Sequence, residues 1–395
     1  MRFTSFLAAT AVAVSASVAG SAAQAQACGG DFNSWLSGLK QEAVSKGHSA
    51  GKVDAFLSSA RRDPSVIKAD RAQGVFQLPF LQFSQRLISS NRVNNGKAMS
   101  RKYNSVFQSI ERNYGVSRGV LLAFWAFETD YGQVQGDFNT VNALLTLSHD
   151  CRRPGLFRPQ LFAAMELFER GDLDPARTKG AWAGEIGMVQ MLPEDIIRNG
   201  VDGDGDGRVS LKTSAPDALM SGGKMLKSLG WRAGEPWLQE VTVPSNMDWS
   251  QTGLHTKKRA SEWLQLGVKP RAGNVPGGLP ASLLLPQGRK GPAFLAYPNF
   301  DVYFEWNQSF VYVTTAAYFA TRLEGAAPYN AGNPDRALND GQMKQLQQKL
   351  MARGHDVGKV DGILGEKTRR AVQTEQGRMG LPADAWPTSE LLSRL

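Results

Sequence analysis

The spacing of hydrophobic residues predicts a mainly helical chain. Between residues 30 and 120, apolar residues recur at intervals of three and four, as on one face of a helix, and residues 101–114 show this clearly. Residues 117–231 continue as shorter helices broken by glycine and proline, and residues 309–323 return to helical spacing. Between them, short apolar runs at residues 241–243, 283–285 and 302–304 are typical of strands. We therefore predict a helical domain that carries a small β-rich insertion.

A second unit is predicted at the C-terminal end. Residues 326–339 are rich in proline, asparagine and glycine, which is the composition of a linker. After it, Leu346 and Leu350 begin a compact stretch with helical spacing. A chain of 395 residues is too long for one ordinary core. We expect a main domain at residues 28–325, a linker at 326–339 and a small domain at 340–395.

The first residues have the pattern of a secretory signal peptide. A basic start at Arg2 precedes an apolar run at residues 6–18, and two Ala-Gln-Ala sites follow. The run is too short to span a bilayer comfortably, and no later segment reaches about 18 uninterrupted apolar residues. We predict a signal peptide at residues 1–25, with cleavage after residue 27 as the alternative, and a soluble exported protein. A buried N-terminal helix is the competing interpretation.

The two cysteines of the chain are Cys28 and Cys151. In an exported protein, a pair of cysteines most simply forms a disulfide. Signal cleavage would place Cys28 at or near the mature N-terminus, where lipid attachment is the alternative. The preceding Ala-Gln-Ala is a poor match to the leucine-rich pattern that lipidation usually needs. We favour a Cys28–Cys151 disulfide that ties the N-terminal segment to the body of the protein.

The net charge of +9 favours polyanionic partners. A basic surface that only keeps the protein soluble is the alternative. Export argues against nucleic acid, and no basic motif with interleaved aromatic residues is present. A cell-wall polymer, which carries carboxylates on its stem peptides, would suit an exported basic protein.

One acidic residue, Glu128, lies in an almost entirely apolar stretch at residues 117–132. Ser117 can cap the start of a helix here, and Gly132 can end it. Helical spacing puts Glu128 on the same stripe as Leu121, Phe124 and Trp125. Desolvation and the negative end of the helix dipole would both raise its pKa, as a proton-donating acid requires. A glutamate that reaches solvent from the end of a core helix is the alternative.

Four blocks downstream and around Glu128 occur in one order. They are Glu-Thr-Asp-Tyr-Gly at residues 128–132, Thr-Val-Asn-Ala-Leu-Leu-Thr-Leu at 140–147, Gly-Glu-Ile-Gly-Met-Val-Gln-Met-Leu-Pro at 184–193, and Trp-Asn-Gln-Ser at 306–309 after Asn299-Phe300. Together they resemble the membrane-bound lytic transglycosylase B family over residues 32–323. The resemblance implies a lysozyme-like helical catalytic domain of the goose-type or Slt-type. It also implies a periplasmic location in a Gram-negative bacterium.

The resemblance implies a reaction and assigns residues to it. Glu128 would protonate the β-1,4 bond between N-acetylmuramic acid and N-acetylglucosamine of peptidoglycan, then act as base on the muramoyl C6 hydroxyl, which yields 1,6-anhydromuramoyl ends. No cofactor would take part. The usual second carboxylate of a glycosidase is missing, because Asp130 faces elsewhere on the helix.

Position relative to the family's blocks suggests the substrate contacts. Gln190 would bind the sugar near the scissile bond. Arg152 and Arg153 would bind a stem-peptide carboxylate or merely be solvated. Glu185 replaces the usual small residue and is either a surface charge or a second carboxylate near the site. The remaining groove candidates, for which packing is the alternative, are Met188, Met191, Trp306, Asn307, Ser309 and Tyr312.

Residues 202–213 match the start of an EF-hand loop. Asp202, Asp204 and Asp206 occupy the first three ligand positions, Gly207 supplies the turn, and Arg208 would offer its carbonyl. The last position is Thr213 rather than glutamate. The resembling family closes the loop with a later aspartate, for which Asp217 is the candidate. We predict a structural Ca²⁺ or Na⁺ of modest affinity, and an aspartate-rich and glycine-rich turn is the alternative.

The C-terminal stretch also resembles a known domain. The pattern from Gly354-His355 through Asp361-Gly362 and Gly365 to Gln376 is similar to the small three-helix peptidoglycan-binding domain. Such a domain would tether the enzyme to wall and raise the local substrate concentration. Glycan strands and stem peptides are therefore the expected partners, together with cell-wall enzyme complexes. A hydrolytic muramidase on the same fold and a non-catalytic wall-binding scaffold are the alternative functions.

Overall fold

The computed structural model describes residues 28–72 and 77–395. The predicted signal peptide lies outside the described residues. In the described part, helices dominate and seven short strands accompany them. The helices are α1 (Phe32–Ser45), α2 (Ala50–Phe56), α3 (Pro64–Arg71), α4 (Phe80–Leu87), α5 (Ser90–Lys102), α6 (Asn104–Tyr114), α7 (Arg118–Thr129), α8 (Thr140–His149), α9 (Pro154–Arg170), α10 (Pro193–Asn199), α11 (Ala215–Ser228), α12 (Ala260–Gln265), α13 (Pro298–Trp306), α14 (Phe310–Leu323), α15 (Asp340–Ala352), α16 (Glu366–Arg378) and α17 (Ser389–Arg394).

The strands form two antiparallel sheets. They are β1 (Phe138–Asn139), β2 (Lys179–Gly180), β3 (Leu238–Thr242), β4 (Lys257–Arg259), β5 (Lys269–Pro270), β6 (Pro280–Leu284) and β7 (Ala293–Ala296). β1 pairs with β2, and the other five are ordered β4-β6-β7-β3-β5. In the larger sheet Leu238 is opposite Ala296, and Val241 is opposite Pro270. This sheet is the predicted β-rich insertion between α11 and α13.

One predicted strand is wrong. Residues 302–304 belong to the helix α13 rather than to the sheet. Pro298 opens this helix at a position where its missing N–H costs nothing. Phe300 and Tyr303, three residues apart, then point into the core and are both fully buried. The apolar run is therefore one buried face of a short helix.

The central helix α7 is buried almost along its whole length. Nine of its twelve residues are buried, and α14 packs along it. The helix begins at Arg118, but the hydroxyl of Ser117 makes no capping hydrogen bond. Instead, the carboxylate of Glu324, just after α14, accepts the free N–H of Gly119 at 3.1 Å. The helix ends at Thr129, earlier than predicted, because Asp130 adopts a left-handed conformation with φ of 50°.

The C-terminal unit has its own core and is docked on the rest of the protein. Leu346, Leu350 and Val372 are fully buried in that core. The guanidinium of Arg369 lies 4.5 Å from the ring centroid of Phe310, at the start of α14, and donates to the carbonyl of Pro286 at 2.8 Å. The side chain of Gln373 donates to the carbonyl of Trp249 at 3.1 Å. These contacts reach both α14 and the sheet region, so the small domain packs against the main domain at two places.

The predicted linker at residues 326–339 contains neither helix nor strand. It is nevertheless held by two hydrogen bonds near its middle. The N–H of Asn333 donates to the carbonyl of Lys290 at 2.9 Å, and the indole of Trp386 donates to the carbonyl of Asp335 at 2.9 Å.

None of the helices in the described part of the chain is long and apolar enough to cross a membrane.

A disulfide joins Cys28 to Cys151, with a Cα–Cα distance of 5.3 Å. It fixes the segment before α1 against the loop after α8. A backbone hydrogen bond of 2.7 Å from Gly29 to the carbonyl of His149 reinforces the same contact. The two cysteines are 123 residues apart, so the bond closes a long loop in the unfolded chain.

Replacing both Cys28 and Cys151 with serine is expected to lower the free energy of unfolding by about 2–5 kcal/mol. The reason is that the unfolded chain regains the conformational freedom which the long loop had removed. Urea unfolding of the variant and of the wild-type protein measures the difference. Reduced wild-type protein is the control and should lose the same amount, whereas equal stability of variant and wild type would contradict the expectation.

Candidate active site

Glu128 lies in the last turn of α7, where the apolar helix meets a cleft. Leu121, Phe124 and Trp125 on the same stripe are at most 1% exposed. The side chain of Glu128 itself is half-buried. Desolvation raises the pKa of Glu128, and hydrogen bonds from Tyr312 and Trp306 oppose that rise. The pKa of Glu128 is therefore above its ordinary value, and the two hydrogen bonds limit the rise.

The two oxygens of the Glu128 carboxyl group have unequal environments. Oε1 accepts the Tyr312 hydroxyl at 2.5 Å and the Trp306 indole N–H at 3.1 Å. Burial and the charge of Glu128 raise the pKa of Tyr312 well above its usual range, so that its hydroxyl remains a donor. Among the described residues, none donates a hydrogen bond to Oε2. The group can therefore be held through one oxygen while the other exchanges a proton with a ligand.

Trp306 and Tyr312 are positioned by neighbouring helices. Trp306 is the last residue of α13, and its ring stacks on Phe124 with centroids 4.2 Å apart. Tyr312 lies in the first turn of α14, whose start Ser309 caps by accepting the N–H of Tyr312 at 3.4 Å. Trp306 and Tyr312 thus approach Glu128 from the end of α13 and the start of α14.

Thr129 locks the end of α7 to the segment at residues 184–191. Its hydroxyl donates to the carbonyl of Met188 at 2.6 Å and accepts the N–H of Gly132 at 2.9 Å. Gly132 has a positive φ of 87°, and a Cβ there would lie 3.2 Å from the Met188 side chain. A hydroxyl directly after the acid and a glycine three residues later therefore fix how the helix end meets this segment.

The segment at residues 184–191 forms a tight turn. Ile186 and Met191 pair through two backbone hydrogen bonds of 2.8 and 3.1 Å. Gln190 has a positive φ of 53°, and its side-chain nitrogen Nε2 donates to the carbonyl of Gly187 at 2.6 Å. Met191 is only 1% exposed and belongs to the main core, so its predicted place in the groove is wrong and packing explains it. Met188, in contrast, remains partly exposed.

Asn307, Ser309 and Trp306 border a cavity of about 440 Å³ that Arg153 and the C-terminal residues 363–365 also line. The side-chain oxygen of Asn307 accepts the N–H of Ser309 at 2.9 Å. Both polar residues therefore shape the turn into α14 as well as one wall of this cavity. The docked C-terminal domain supplies the opposite wall.

Arg152 and Arg153 already have a partner within the protein. Both donate hydrogen bonds to the carboxylate of Asp70, which is only 2% exposed. The pair therefore neutralises a buried acid, a role that sequence reasoning missed because Asp70 is 82 residues upstream. Arg153 still reaches the cavity beside Trp306.

The sequence did not decide whether Glu185 is a surface charge or a second carboxylate near the site. It lies close enough to Glu128 for the two charges to interact. Burial, together with a smaller contribution from the charge of Glu128, raises the pKa of Glu185 to about 7, while backbone hydrogen bonds at Glu185 and Ala183 and the charge of Arg153 oppose this. Its Oε2 atom is buried without a hydrogen-bond partner. Glu185 is thus part of the acid's surroundings and not a surface charge.

The predicted metal loop brings three carboxylates together. Ligand oxygens of Asp202, Asp204 and Asp217 lie within 4.8 Å of one another, and Asp217 is buried. In the described residues Asp206 is outside this group, and its carboxylate accepts the N–H of Arg208 at 2.9 Å. Asp217 accepts the N–H groups of Gly203 at 2.8 Å and Ser210 at 2.7 Å, so it closes the loop. An oxygen-only donor set of this kind suits Ca²⁺.

Comparison with known proteins identifies the family. The family model described as transglycosylase SLT domain matches residues 31–321. The chain belongs to this transglycosylase family. A second model, for a peptidoglycan binding domain, matches residues 339–395. The membrane-bound lytic murein transglycosylase B of Escherichia coli K12 is 28% identical over 297 residues, which cover 71% of this chain and 81% of that protein.

Solved structures show the same fold. SltB3 from Pseudomonas aeruginosa, in complex with NAG-anhNAM-pentapeptide, has a TM-score of 0.85 and 35% identity, covering 93% of this chain and 99% of that chain. Slt35 from Escherichia coli, in complex with calcium, has a TM-score of 0.64 and 26% identity, covering 75% of this chain and 95% of that chain. The predicted lysozyme-like helical fold is confirmed. The chain is a lytic transglycosylase, a lyase that cleaves peptidoglycan and needs no catalytic cofactor.

In this transglycosylase, replacing Thr129 with valine is expected to cost about 2–4 kcal/mol of unfolding free energy, because the Met188 carbonyl and the Gly132 N–H both lose their partner in a buried place. Cleavage of purified peptidoglycan should fall as well, because the helix end that carries Glu128 shifts. Chemical denaturation and a wall-solubilisation assay measure the two effects. Thr129→Ser is the matched control, since it keeps the hydroxyl; a serine variant that loses as much as the valine variant would contradict the role of the hydroxyl.

Proposed function

We propose that Glu128 is the catalytic acid and base of a non-hydrolytic cleavage between N-acetylmuramic acid and N-acetylglucosamine. Glu128 donates its proton to the glycosidic oxygen, the bond from muramoyl C1 breaks, and N-acetylglucosamine leaves with a free hydroxyl. The resulting carboxylate takes the proton of the muramoyl C6 hydroxyl, whose oxygen bonds to C1. The product is a 1,6-anhydromuramoyl end, and Glu128 recovers its proton.

The observation that carries this proposal is the unequal environment of the two Glu128 oxygens. Tyr312 and Trp306 hold Oε1, which fixes the carboxyl group without filling Oε2. An acid that later acts as a base needs a pKa near the working pH, and burial moves the pKa of Glu128 in that direction. When the carboxylate forms, the two donors to Oε1 stabilise its charge.

Asp130 does not supply the second acid of an ordinary glycosidase. Asp130, the nearest carboxylate in sequence, forms an ion pair with Arg92 at 3.0 Å and is turned away at the helix end. Because Asp130 is not placed to act as a nucleophile or to activate water, we assign the role of internal nucleophile to the C6 hydroxyl of the substrate. The N-acetyl group of the substrate would help to stabilise the positive C1 centre.

A hydrolytic muramidase is the second candidate because of Glu185. This residue is a second carboxyl group within interaction range of Glu128, and a pair of that kind can support hydrolysis. Its pKa near 7 disfavours it as a nucleophile, because much of it is protonated at neutral pH. The chemical form of the product distinguishes the two reactions.

For substrate binding, we propose that the glycan lies along the cleft beside Met188, Trp306 and Asn307. The carbonyl oxygen of the Gln190 side chain would accept a sugar hydroxyl or amide, since only its nitrogen is engaged by the protein. Arg153, Ser309 and the cavity between the two domains would take the neighbouring stem peptide. The pentapeptide-bearing ligand of the related SltB3 structure is consistent with such a substrate.

We propose that residues 340–395 bind the wall polymer and that residues 28–325 perform the cleavage. The match of residues 339–395 to a peptidoglycan binding domain supports the first part. An exported enzyme of this kind would act in the periplasm of a Gram-negative bacterium, after removal of residues 1–25. Assembly into cell-wall enzyme complexes remains a prediction.

The loop with Asp202, Asp204 and Asp217 is proposed to hold a structural Ca²⁺. Backbone carbonyls such as that of Arg208, with Asp206 nearby, would complete the oxygen ligands. The calcium complex of the related Slt35 supports this choice of ion. The ion's role would be to neutralise three neighbouring carboxylates and to fix the loop before α11.

Replacing Glu128 with glutamine is expected to reduce peptidoglycan cleavage by about 10²–10⁴-fold, the usual contribution of a general acid or base. Mass spectrometry of wild-type products should show anhydro ends that are ~18 Da lighter than reducing ends, because the reaction adds no water. Asp130→Asn is the matched control and should keep most of the activity. Full activity of Glu128→Gln would reject the assignment, and reducing ends would favour the muramidase.

Millimolar Ca²⁺ is expected to raise the melting temperature of the wild-type protein, because an ion that binds only the folded state stabilises it. Asp217→Asn should abolish this rise, although it also weakens the loop without the ion. Differential scanning fluorimetry with calcium and with a chelator measures the effect. If the melting temperature of the wild type does not respond to millimolar Ca²⁺, the loop is a turn that holds no ion.

A further inference from the structure

The chain leaves helix α7 through a strained turn directly after Glu128. Asp130, Tyr131 and Gly132 have φ angles of 50°, 62° and 87°. Left-handed conformations suit glycine, but they are unfavourable for aspartate and more so for tyrosine. In the described part of the chain, four non-glycine residues have a positive φ, and three of them, Asp130, Tyr131 and Gln190, lie at the candidate active site. Strain of this kind persists only where the surrounding structure holds it in place.

The turn also closes the end of the helix that carries Glu128. The N–H of Asp130 donates to the carbonyl of Ala126 at 3.0 Å, and the N–H of Tyr131 donates to the carbonyl of Trp125 at 3.1 Å. Hydrogen bonds from left-handed residues back to the last helical turn are a common way to end a helix. A change at residues 130–132 therefore reaches the backbone of Glu128 through these two bonds.

Arg92, on helix α5, holds this turn through both its side chain and its backbone. Its Nε donates to Oδ1 of Asp130 at 3.0 Å, and its carbonyl accepts the hydroxyl of Tyr131 at 2.7 Å. The side chains of Arg92 and Asp130 are only 24% and 31% exposed, so solvent screens their ion pair less than it screens a surface pair. One residue thus contacts both of the non-glycine residues that adopt the left-handed conformation.

Arg92 is itself fixed by neighbouring elements. Its Nη1 donates to the carbonyl of Leu87 at the end of α4 at 3.0 Å, and its N–H donates to the hydroxyl of Ser89 at the start of α5 at 3.1 Å. Gly96 lets α5 approach the turn closely, because a Cβ there would lie 2.5 Å from the hydroxyl oxygen of Tyr131. The support of the turn is therefore built into the packing of α5.

The guanidinium group of Arg92 also lies near the residue before Glu128. It is 5.9 Å from the ring centroid of Phe127, within the range of a cation–π contact. The ring of Phe127 is edge-on to that of Tyr312, with centroids 5.9 Å apart. Residues on both sides of Glu128 in the chain are thus in contact with Arg92.

We propose that Arg92 is a positioning residue for the catalytic acid: it holds the left-handed turn after α7 and thereby fixes the direction in which Glu128 points. This inference rests on the proposed role of Glu128 and assigns Arg92 no contact with the substrate. A general acid must meet the glycosidic oxygen within hydrogen-bond distance, and a displacement of about 1 Å can cost about 10²-fold in rate.

Arginine suits this task because of its planar fork of donors. Different nitrogens of one guanidinium group serve Asp130 and the Leu87 carbonyl at the same time. The competing explanation is a partly exposed ion pair that adds little to stability and nothing to catalysis. That explanation predicts wild-type kcat in every Arg92 variant that folds.

The test is the steady-state cleavage of soluble peptidoglycan glycan fragments by the full mature protein, with folding verified by circular dichroism. Arg92→Met keeps the aliphatic stem and removes the donors, and it should lower kcat by about 10–10²-fold. KM should stay within about threefold, because the residues assigned to the groove, such as Met188 and Asn307, keep their own contacts. Arg101→Met removes an exposed arginine from the same helix and is the matched control, which should change neither constant.

Three further variants separate the contacts of Arg92. Arg92→Lys keeps the charge but reaches only one of the two acceptors, so it should recover part of kcat. Tyr131→Phe removes only the hydroxyl that donates to the Arg92 carbonyl, and it should lower kcat by less than Arg92→Met does. Asp130→Asn keeps an acceptor oxygen for Nε of Arg92 and should retain most of the activity.

The outcomes separate this inference from the function beneath it. Wild-type kcat in folded Arg92→Met overturns the role of Arg92 and leaves Glu128 as the acid, and so does an equal loss in Arg101→Met. If Arg92→Met does not fold, Arg92→Lys and Tyr131→Phe decide, and wild-type kcat in both overturns the inference. Retained activity in Glu128→Gln would instead defeat the proposed function itself, whatever the Arg92 variants show.

Discussion

The site depends on the burial of one carboxyl group at the C-terminal end of an apolar helix. Nine of the twelve residues of α7 are buried, so Leu121 and Phe124 anchor the helix in the core and Glu128 emerges only at the cleft. The helix end also presents free carbonyls, which disfavour a negative charge nearby. These two effects oppose ionisation, and the donors Tyr312 and Trp306 compensate only on one oxygen. The remaining oxygen is the feature from which the chemistry follows.

Helix α14 connects the stability of the fold to this chemistry. It packs along α7, supplies Tyr312 near its beginning, and is followed by Glu324, which caps the first turn of α7. One helix thus holds α7 at both ends. The aromatic stack of Phe127 on Phe319, with centroids 5.2 Å apart, fills the contact between these two points. Any change that tilts α14 would therefore alter the acid and the core together.

The sequence predicted features that depend on neighbours along the chain. The apolar stripe and the position of Glu128 in the last turn could be derived from helical spacing alone. Contacts between distant residues could not: Tyr312 is 184 residues from Glu128, and Asp70 is 82 residues from Arg152. The error at residues 302–304 has the same origin, since a short apolar run fits a strand and a buried helix equally well until its neighbours are known. Met191 was misassigned because spacing does not reveal which side of a tight turn meets the core.

The docking of Arg369 on Phe310 has a mechanical consequence. A binding module on a flexible tether would let the catalytic cleft sample many bonds around one anchoring point. Here the guanidinium stacks on the first residue of α14, four positions after the end of the helix that carries Tyr303, so the module is docked on the catalytic domain. The module and the catalytic cleft are then held next to each other. If the module binds the wall as proposed, its docking would place each cut at a set distance along the glycan strand from the point of binding.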